Sequence, residues 1–196
     1  MTLLTQGYST HLRTWRKSDI PGYAELAADP QAMKYISNGK VRTYREIETE
    51  VDRFQQLQRE LGISRWVVTR SDDNIFLGYS GLEPKELGIN FGMRFQRKWW
   101  GTPWPLIGAH LALRYAFDDL NLNSVYSLTN VSHVKAIQTT MKYLNIRSLD
   151  DDIHQTPHGP HRRIIYTKAL FDANREKNEA RIERVLHRHL RIERMV

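Results

Sequence analysis

The sequence predicts a single α/β (α+β) domain, with a mixed, mostly antiparallel sheet flanked by helices and a C-terminal helical extension. Three observations carry this. Strand-like and helix-like runs follow the order β-α-α-β-β-β-α-β-α-β. The three consecutive strand runs are joined by short turns, as in an antiparallel meander. From about Phe171 the chain becomes charged and helical with one apolar stripe. Residues 1–170 are read as the domain and residues 171–196 as a basic amphipathic helix.

The elements follow in order. Leu12 to Trp15 alternates as a strand. Ser18 or Asp19 can accept from the open N–H groups of a helix start, and Pro21 suits the first turn. Ala27-Ala28-Asp29-Pro30 breaks that helix, and PQAMKYIS begins a short second one. Thr43 with Glu46 is a capping-box pattern opening a long amphipathic helix, which Gly62 stops after about Leu61. ISRWVVTR is β-branched and alternating, SDDN is a turn, and IFLGYSGLE and LGINFGMRF (Leu87 to Phe95) are two more strands. After the loop KWWGTPWP come a strongly apolar helix, LIGAHLALRYAFDDL, then the strand NSVYSLT, the helix HVKAIQTTMKYL and a last strand, RRIIYTKAL. His154, His158 and His161 fall where Pro157 and Gly159-Pro160 predict a turn-rich loop, and no metal site is predicted there. In the tail, Ile182, Val185, His189, Ile192 and Val196 form the apolar stripe, flanked by Leu186 and Leu190. It predicts docking on the domain or a homodimer through this helix.

Composition narrows the function classes. At 196 residues and 40% hydrophobic content the chain can bury a core of its own. The absence of cysteine excludes disulfides, thiolate metal sites and a cysteine nucleophile. No apolar run reaches the length of a membrane span and the first residues lack a signal-peptide pattern, so a cytoplasmic protein with no membrane partner is expected. The formal charge of +7 favours anionic partners, but no nucleic-acid-binding motif accompanies it.

The stretch KWWGTPWPLIG, Lys98 to Gly108, joins a strand to a helix. A helix N-terminus presents unpaired N–H groups and the positive end of the helix dipole, so it favours anions. Gly101 lets an anion approach the backbone, and Arg97 and Lys98 add charge. Pro103 and Pro105 remove two donors from the same stretch.

Several segments resemble the GNAT superfamily of N-acetyltransferases, in particular the branch that includes the ribosomal-protein N-terminal acetyltransferases. They are LRTWRKSDIP, FLGYSGLE, FGMRF followed by KWWG, AHLALRYAFDDLNLNSVYSLT, MKYLNIRSLDDDIH and PHGPHRRIIY. The resemblance runs from about Thr10 to Leu170. It implies acetyl-CoA as co-substrate, its pantetheine arm along about Gly92 to Phe95 and its pyrophosphate on a loop of pattern Gln/Arg-x-x-Gly-x-Gly/Ala. That frame falls on Lys98, Gly101 and Pro103, so proline stands where the family has glycine or alanine. The cofactor-binding set it implies is Met93, Arg94, Phe95, Arg97, Lys98, Trp100, Gly101, Thr102, Pro103, Trp104 and Leu106, with His133 and Ala136. Gly101, Thr102, Trp104 and Leu106 keep their backbone donors, and the Thr102 hydroxyl, Arg97 and Lys98 are expected to compensate for the prolines.

Attack of an amine on a thioester needs a neutral amine, polarisation of the carbonyl and protonation of the leaving sulfur. The resemblance gives the polarising N–H to Met93 or Arg94. A glutamate common in the family is replaced by Asn90, with Glu83 the nearest other carboxylate. Counting from the preceding strand puts His133 and Ala136 on the family's Asn-x-x-Ser/Ala signature; counting back from the helix end gives Val134 and Ile137. The usual tyrosine position falls on Thr140 or Met141, with Tyr143 near. Asn90, Glu83 and His133 are therefore the catalytic candidates. The acceptor, a small-molecule or peptide amine, is expected between about Asp29 to Arg42 and the strand ends near Glu83 and Asn90. The alternative is a catalytically degenerate protein of the same fold that senses acyl-CoA or acts through protein or nucleic-acid partners.

Overall fold

In the computed structural model, which describes residues 1–195, eight strands form one sheet. They are β1 (Leu3–Gly7), β2 (Thr10–Arg13), β3 (Arg65–Arg70), β4 (Phe76–Lys85), β5 (Gly88–Phe95), β6 (Ser124–Asn130), β7 (Ile153–Thr156) and β8 (Gly159–Thr167). The sheet order is β1-β2-β3-β4-β5-β6-β8-β7. Every neighbouring pair is antiparallel except β5 and β6, which run parallel and meet at one register pair, Asn90 with Tyr126. Beyond that pair the two strands part, leaving a fork that opens toward Phe95 and Asn130.

The helices are α1 (Ile20–Ala27), α2 (Pro30–Met33), α3 (Tyr44–Leu61), α4 (Trp104–Arg114), α5 (Val134–Leu144) and α6 (Lys168–Glu193). The capping box of α3 forms as its sequence predicts: Thr43 accepts from the Glu46 N–H and Glu46 accepts from the Thr43 N–H. Gly62 ends α3 at φ 69°, in the left-handed region that favours glycine. Two cores lie on opposite faces of the sheet. One gathers Trp15, Tyr23, Phe54, Val67 and Tyr79 with α1 to α3; the other gathers Trp66, Phe91, Phe95, Trp104, Leu111 and Tyr166 with α4 to α6.

Four differences from the expected elements stand out. β1 adds a strand, joined to β2 by a turn in which Tyr8 and Ser9 both adopt φ 55°; neither is the glycine or asparagine that usually marks such a turn. β7 and the start of β8 form a hairpin within the segment expected to be a loop, its turn carrying Pro157 and His158. The last strand ends at Thr167 rather than continuing to Leu170, because the Thr167 hydroxyl caps α6 by accepting from the Leu170 N–H. The helix α4 passes into a π-helical turn over Tyr115–Asp119.

The tail packs on its own domain. Phe171, Ile182 and Leu186 are buried in the core beneath α4, and the side-chain amides of Asn174 and Asn178 donate to the Leu144 and Tyr143 carbonyls at the end of α5. The apolar stripe is thus used within the chain as far as Leu190, whereas Ile192 is 56% exposed. Val196 lies outside the described residues. No helix among them is long and apolar enough to cross a membrane.

Candidate active site

The fork has two sides. On the α4–α6 side, Phe91 of β5 meets the ring of Tyr166 edge-on at 5.4 Å. The Tyr166 hydroxyl lies 3.4 Å from the Ser127 hydroxyl on β6 and 3.3 Å from the Thr140 hydroxyl on α5. Burial raises the Tyr166 pKa, though both hydroxyl contacts pull the other way, so the phenol keeps its proton. Four elements therefore bring one protonated hydroxyl to the fork. Sequence reasoning placed the missing tyrosine at Thr140 or Met141 and overlooked Tyr166. Its only signal was a tyrosine directly after two isoleucines in the last strand, where a buried hydroxyl needs partners.

On the α1–α3 side the lining is charged. Arg65, 7% exposed, lies against the closed end of the fork. Its Nη1 donates to the carbonyls of Gly81 at 2.5 Å and Asn90 at 3.1 Å, and its Nη2 donates to Asn90 Oδ1. The Asn90 amide donates in turn to the Tyr126 carbonyl at 3.3 Å, so this side chain spans the single point where β5 and β6 meet. Gly92 follows because a Cβ there would stand 2.9 Å from the Arg65 guanidinium.

Glu83, named from the sequence as the nearest other carboxylate, is enclosed. Its carboxylate pairs with Lys85 at 2.6 Å, with Arg53, and with Arg65 at 3.5 Å. Burial raises its pKa, but the hydrogen bonds and charges of Lys85, Arg65 and Arg53 outweigh burial and hold it below the ordinary carboxylate value. A carboxylate so tightly held is a weak base.

At the open end of the fork, a short 3₁₀ turn over Arg97–Trp99 leads into α4, with Pro103 as N-cap at φ −65° and Pro105 in the first turn. The prolines sit where their missing N–H groups would be orphaned in any case. Gly101 adopts φ 79° with open space around it, so its conformation rather than crowding calls for glycine. Among the described residues the N–H groups of Gly101, Trp104 and Leu106 meet no acceptor. Such a set at a helix N-terminus suits an anion. The other expected helpers are spent. The Thr102 N–H and hydroxyl both donate to the Trp99 carbonyl, at 3.3 and 2.6 Å. Arg97 pairs with Asp29 at 2.8 Å and Lys98 with Glu25 at 3.1 Å, because the end of α1 lies against the loop. Trp100 is 48% exposed, its indole N–H donating to the Phe95 carbonyl. The Trp104 and Phe95 side chains are buried in the core, so only their backbone faces the loop and the fork. Met93 is 39% exposed, on the stretch of β5 whose β6-facing edge has no partner strand.

His133 is the N-cap residue of α5, and Ala136 sits half-buried within the first turn. The His133 ring stacks on Tyr35 at 4.2 Å. Burial first, and then the Lys34 charge, lower its pKa, so the imidazole is neutral near pH 7. A second contact, Ser37 with His158 at 3.2 Å, joins the same segment after α2 to the β7–β8 hairpin. The other two histidines of that segment have separate partners: His154 bonds Asp152, and His161 bonds Thr156 and the Gly159 carbonyl.

A family model described as an acetyltransferase (GNAT) domain matches residues 10–143. Solved structures share the fold at low identity. An acetyltransferase (GNAT family) from Bacillus anthracis superposes with a TM-score of 0.71 at 16% identity, covering 86% of this chain and 99% of that one. A mutant of the spermidine N-acetyltransferase SpeG from Vibrio cholerae gives 0.63 at 15% identity, covering 84% and 97%. The enzyme AAC(6')-Ib, in complex with ribostamycin and coenzyme A, gives 0.67 at 13% identity, covering 84% and 96%.

Proposed function

Because the chain belongs to the GNAT acetyltransferase family, we propose that it transfers acetyl from acetyl-CoA to the primary amine of a small molecule or peptide by direct attack, in a cytoplasmic setting. The observation that carries this is the fork, which closes at one register pair and has an anion-suited helix start at its open end. The likeness to a spermidine acetyltransferase and to an enzyme bound to coenzyme A supports the reaction class.

Acetyl-CoA would supply an activated acetyl thioester. The N–H groups of Gly101, Trp104 and Leu106 would hold its pyrophosphate, and the unpaired edge of β5 from Phe91 to Phe95 would hold the pantetheine. In this reading, the neutral imidazole of His133 takes the proton released by the amine, and Asn90 fixes the width of the fork. The Tyr166 hydroxyl holds a proton for the departing sulfur. Glu83 serves as a buried counter-ion for Arg53, Arg65 and Lys85 rather than as the base.

A catalytically degenerate reading rests on the loop, where Pro103 has no N–H and Arg97 and Lys98 are already paired. Calorimetric titration of acetyl-CoA separates the two. Binding below millimolar, followed by thiol release in an amine screen, is expected; no binding at millimolar ligand would overturn the enzyme reading. Pro103→Gly should tighten the complex about tenfold, the value of one hydrogen bond to a charged group. Unchanged affinity would remove the loop's proline from the account.

A further inference from the structure

On the α1–α3 side of the sheet, Gly92 lies between two guanidiniums. Arg65 is saturated, as described above. Arg94 is not. Its Nη1 reaches only the Tyr23 hydroxyl at 3.4 Å and the Met33 sulfur at 3.3 Å, and its charge lies over the Tyr79 ring at 5.3 Å. Its Nε is buried without a partner. Its Nη2 makes no hydrogen bond either and is not fully sealed from solvent. Among the described residues no carboxylate comes within ion-pair distance of Arg94. Glu50 is one group removed, because it accepts the Tyr23 hydroxyl at 2.6 Å.

An arginine this enclosed normally has a carboxylate, since desolvating an unpaired charge is costly. Its planar set of donors matches a carboxylate in particular. Arg94 stands four residues along β5 from Asn90, about 13 Å up the open edge of the fork. Its contacts with Tyr23 and Met33 put it against α1 and α2, and Met33 stands two residues before Tyr35, whose ring stacks on His133. In the acetyltransferase reading, an amine that enters the fork from the α1–α2 side would pass this point. The one buried carboxylate nearby, Glu83, is already shared by three cations, so this side attracts anions and repels polycations.

We infer that the acceptor is an amine that also carries a carboxylate, and that Arg94 binds this carboxylate. The inference rests on the acetyltransferase reading above and adds the substrate class. The Arg94 side chain is then specificity-determining and leaves the acetyl-transfer chemistry to other groups, the backbone N–H of β5 among them, which Arg94→Gln keeps in place.

The test pairs tripeptides with a free C-terminus against the same tripeptides amidated, with spermidine as a polycationic control, and reads thiol release from acetyl-CoA. Free acids should be favoured about ten- to hundredfold in kcat/KM. Arg94→Gln should abolish this preference by raising KM for the acids alone, and Arg94→Lys should restore part of it. Calorimetry of the acids and amides against the protein saturated with coenzyme A should show the same preference without turnover. If amides or spermidine do as well as the acids, or if Arg94→Gln slows acids and amides equally, the inference is overturned while the acetyltransferase reading stands. It also falls if acetyl-CoA binds yet no acid in the panel is bound or acetylated. If acetyl-CoA itself does not bind, the underlying reading fails instead. Should Arg94→Gln fail to fold, the acid-to-amide ratio of the unaltered protein still decides.

Discussion

On the side of the sheet covered by α4 to α6, the fork between β5 and β6 is lined by Phe91, Ser127, Thr140 and Tyr166, none of them charged. On the side covered by α1 to α3 it is lined by Arg65, Glu83, Asn90 and Arg94. The neutral side can keep a phenol protonated because nothing nearby stabilises a phenolate strongly enough to offset burial. The charged side holds its shape by ion pairs and leaves one guanidinium unsatisfied. One sheet thus separates a neutral lining that carries a protonated phenol from a charged lining that carries an unpaired guanidinium.

The comparison is broken most directly at Arg65. Arg65→Met strips the Gly81 and Asn90 carbonyls and the Asn90 amide of their donor and leaves Glu83 with two half-exposed cations. Removing one partner of a buried pair costs about 3–5 kcal/mol. Chemical denaturation should show a loss of that size; a loss below about 1 kcal/mol would mean that the charged side is not what holds the closed end of the fork.

The second test lies behind the neutral side. His110 on α4 is fully buried, bonded to the Tyr143 hydroxyl at 3.0 Å and stacked on Phe171 of α6. Burial, and then the charges of Arg114 and Arg175, push its pKa down to about 4. The folded protein therefore prefers the neutral ring. Its contribution is complete above about pH 6.5, the unfolded value, and is lost as the pH falls toward 4, amounting to about 3 kcal/mol. Denaturation midpoints measured between pH 7 and 4 should fall accordingly, and His110→Gln should flatten that slope.

Tyr166→Phe is the third. It removes one hydroxyl from a neutral cluster, so the fold should persist while kcat drops about a hundredfold, the lower end for a proton-transfer group. Acetyl-CoA affinity should stay level. A kcat unchanged within about threefold, under half of the smallest such effect in free energy, would assign the proton to another donor.

The two sides also differ in how far the sequence discloses them. The loop and α4 were legible because glycine, proline and an apolar run are local signals: Gly101, Pro103 and the helix after them fall where expected. The family resemblance pointed to Asn90 and His133 through their places beside a strand and at a helix start. Tyr166 gave no such signal, and the resemblance reached Arg94 only through its backbone, not its side chain. Each becomes notable only through partners far along the chain: Ser127 and Thr140 for Tyr166, and Tyr23 and Met33 for Arg94. Glu83 could be named from the sequence as the nearest other carboxylate, but its surroundings could not, since Arg53 and Arg65 reach it from two other elements. β1 and the β7–β8 hairpin were missed because a strand pair closed by Tyr8-Ser9, or one rich in histidine and proline, lacks the usual turn chemistry.

The smallest expected effect on activity sharpens the comparison most. Glu83→Gln keeps the shape of the side chain and removes its charge. If the charged side only recognises and supports, kcat should change by less than about threefold. The acidic limb of the pH–rate profile should stay in place, since a base supplied by His133 titrates independently of Glu83. The cost should appear in stability instead. The Glu83 pKa is depressed in the fold, so its contribution is present above the ordinary glutamate value and fades as the pH falls below it. The variant should lose that acid-side dependence while keeping its activity at neutral pH. If kcat instead falls a hundredfold and the acidic limb disappears, Glu83 is the base, and protons move on the charged side of the sheet as well as on the neutral one.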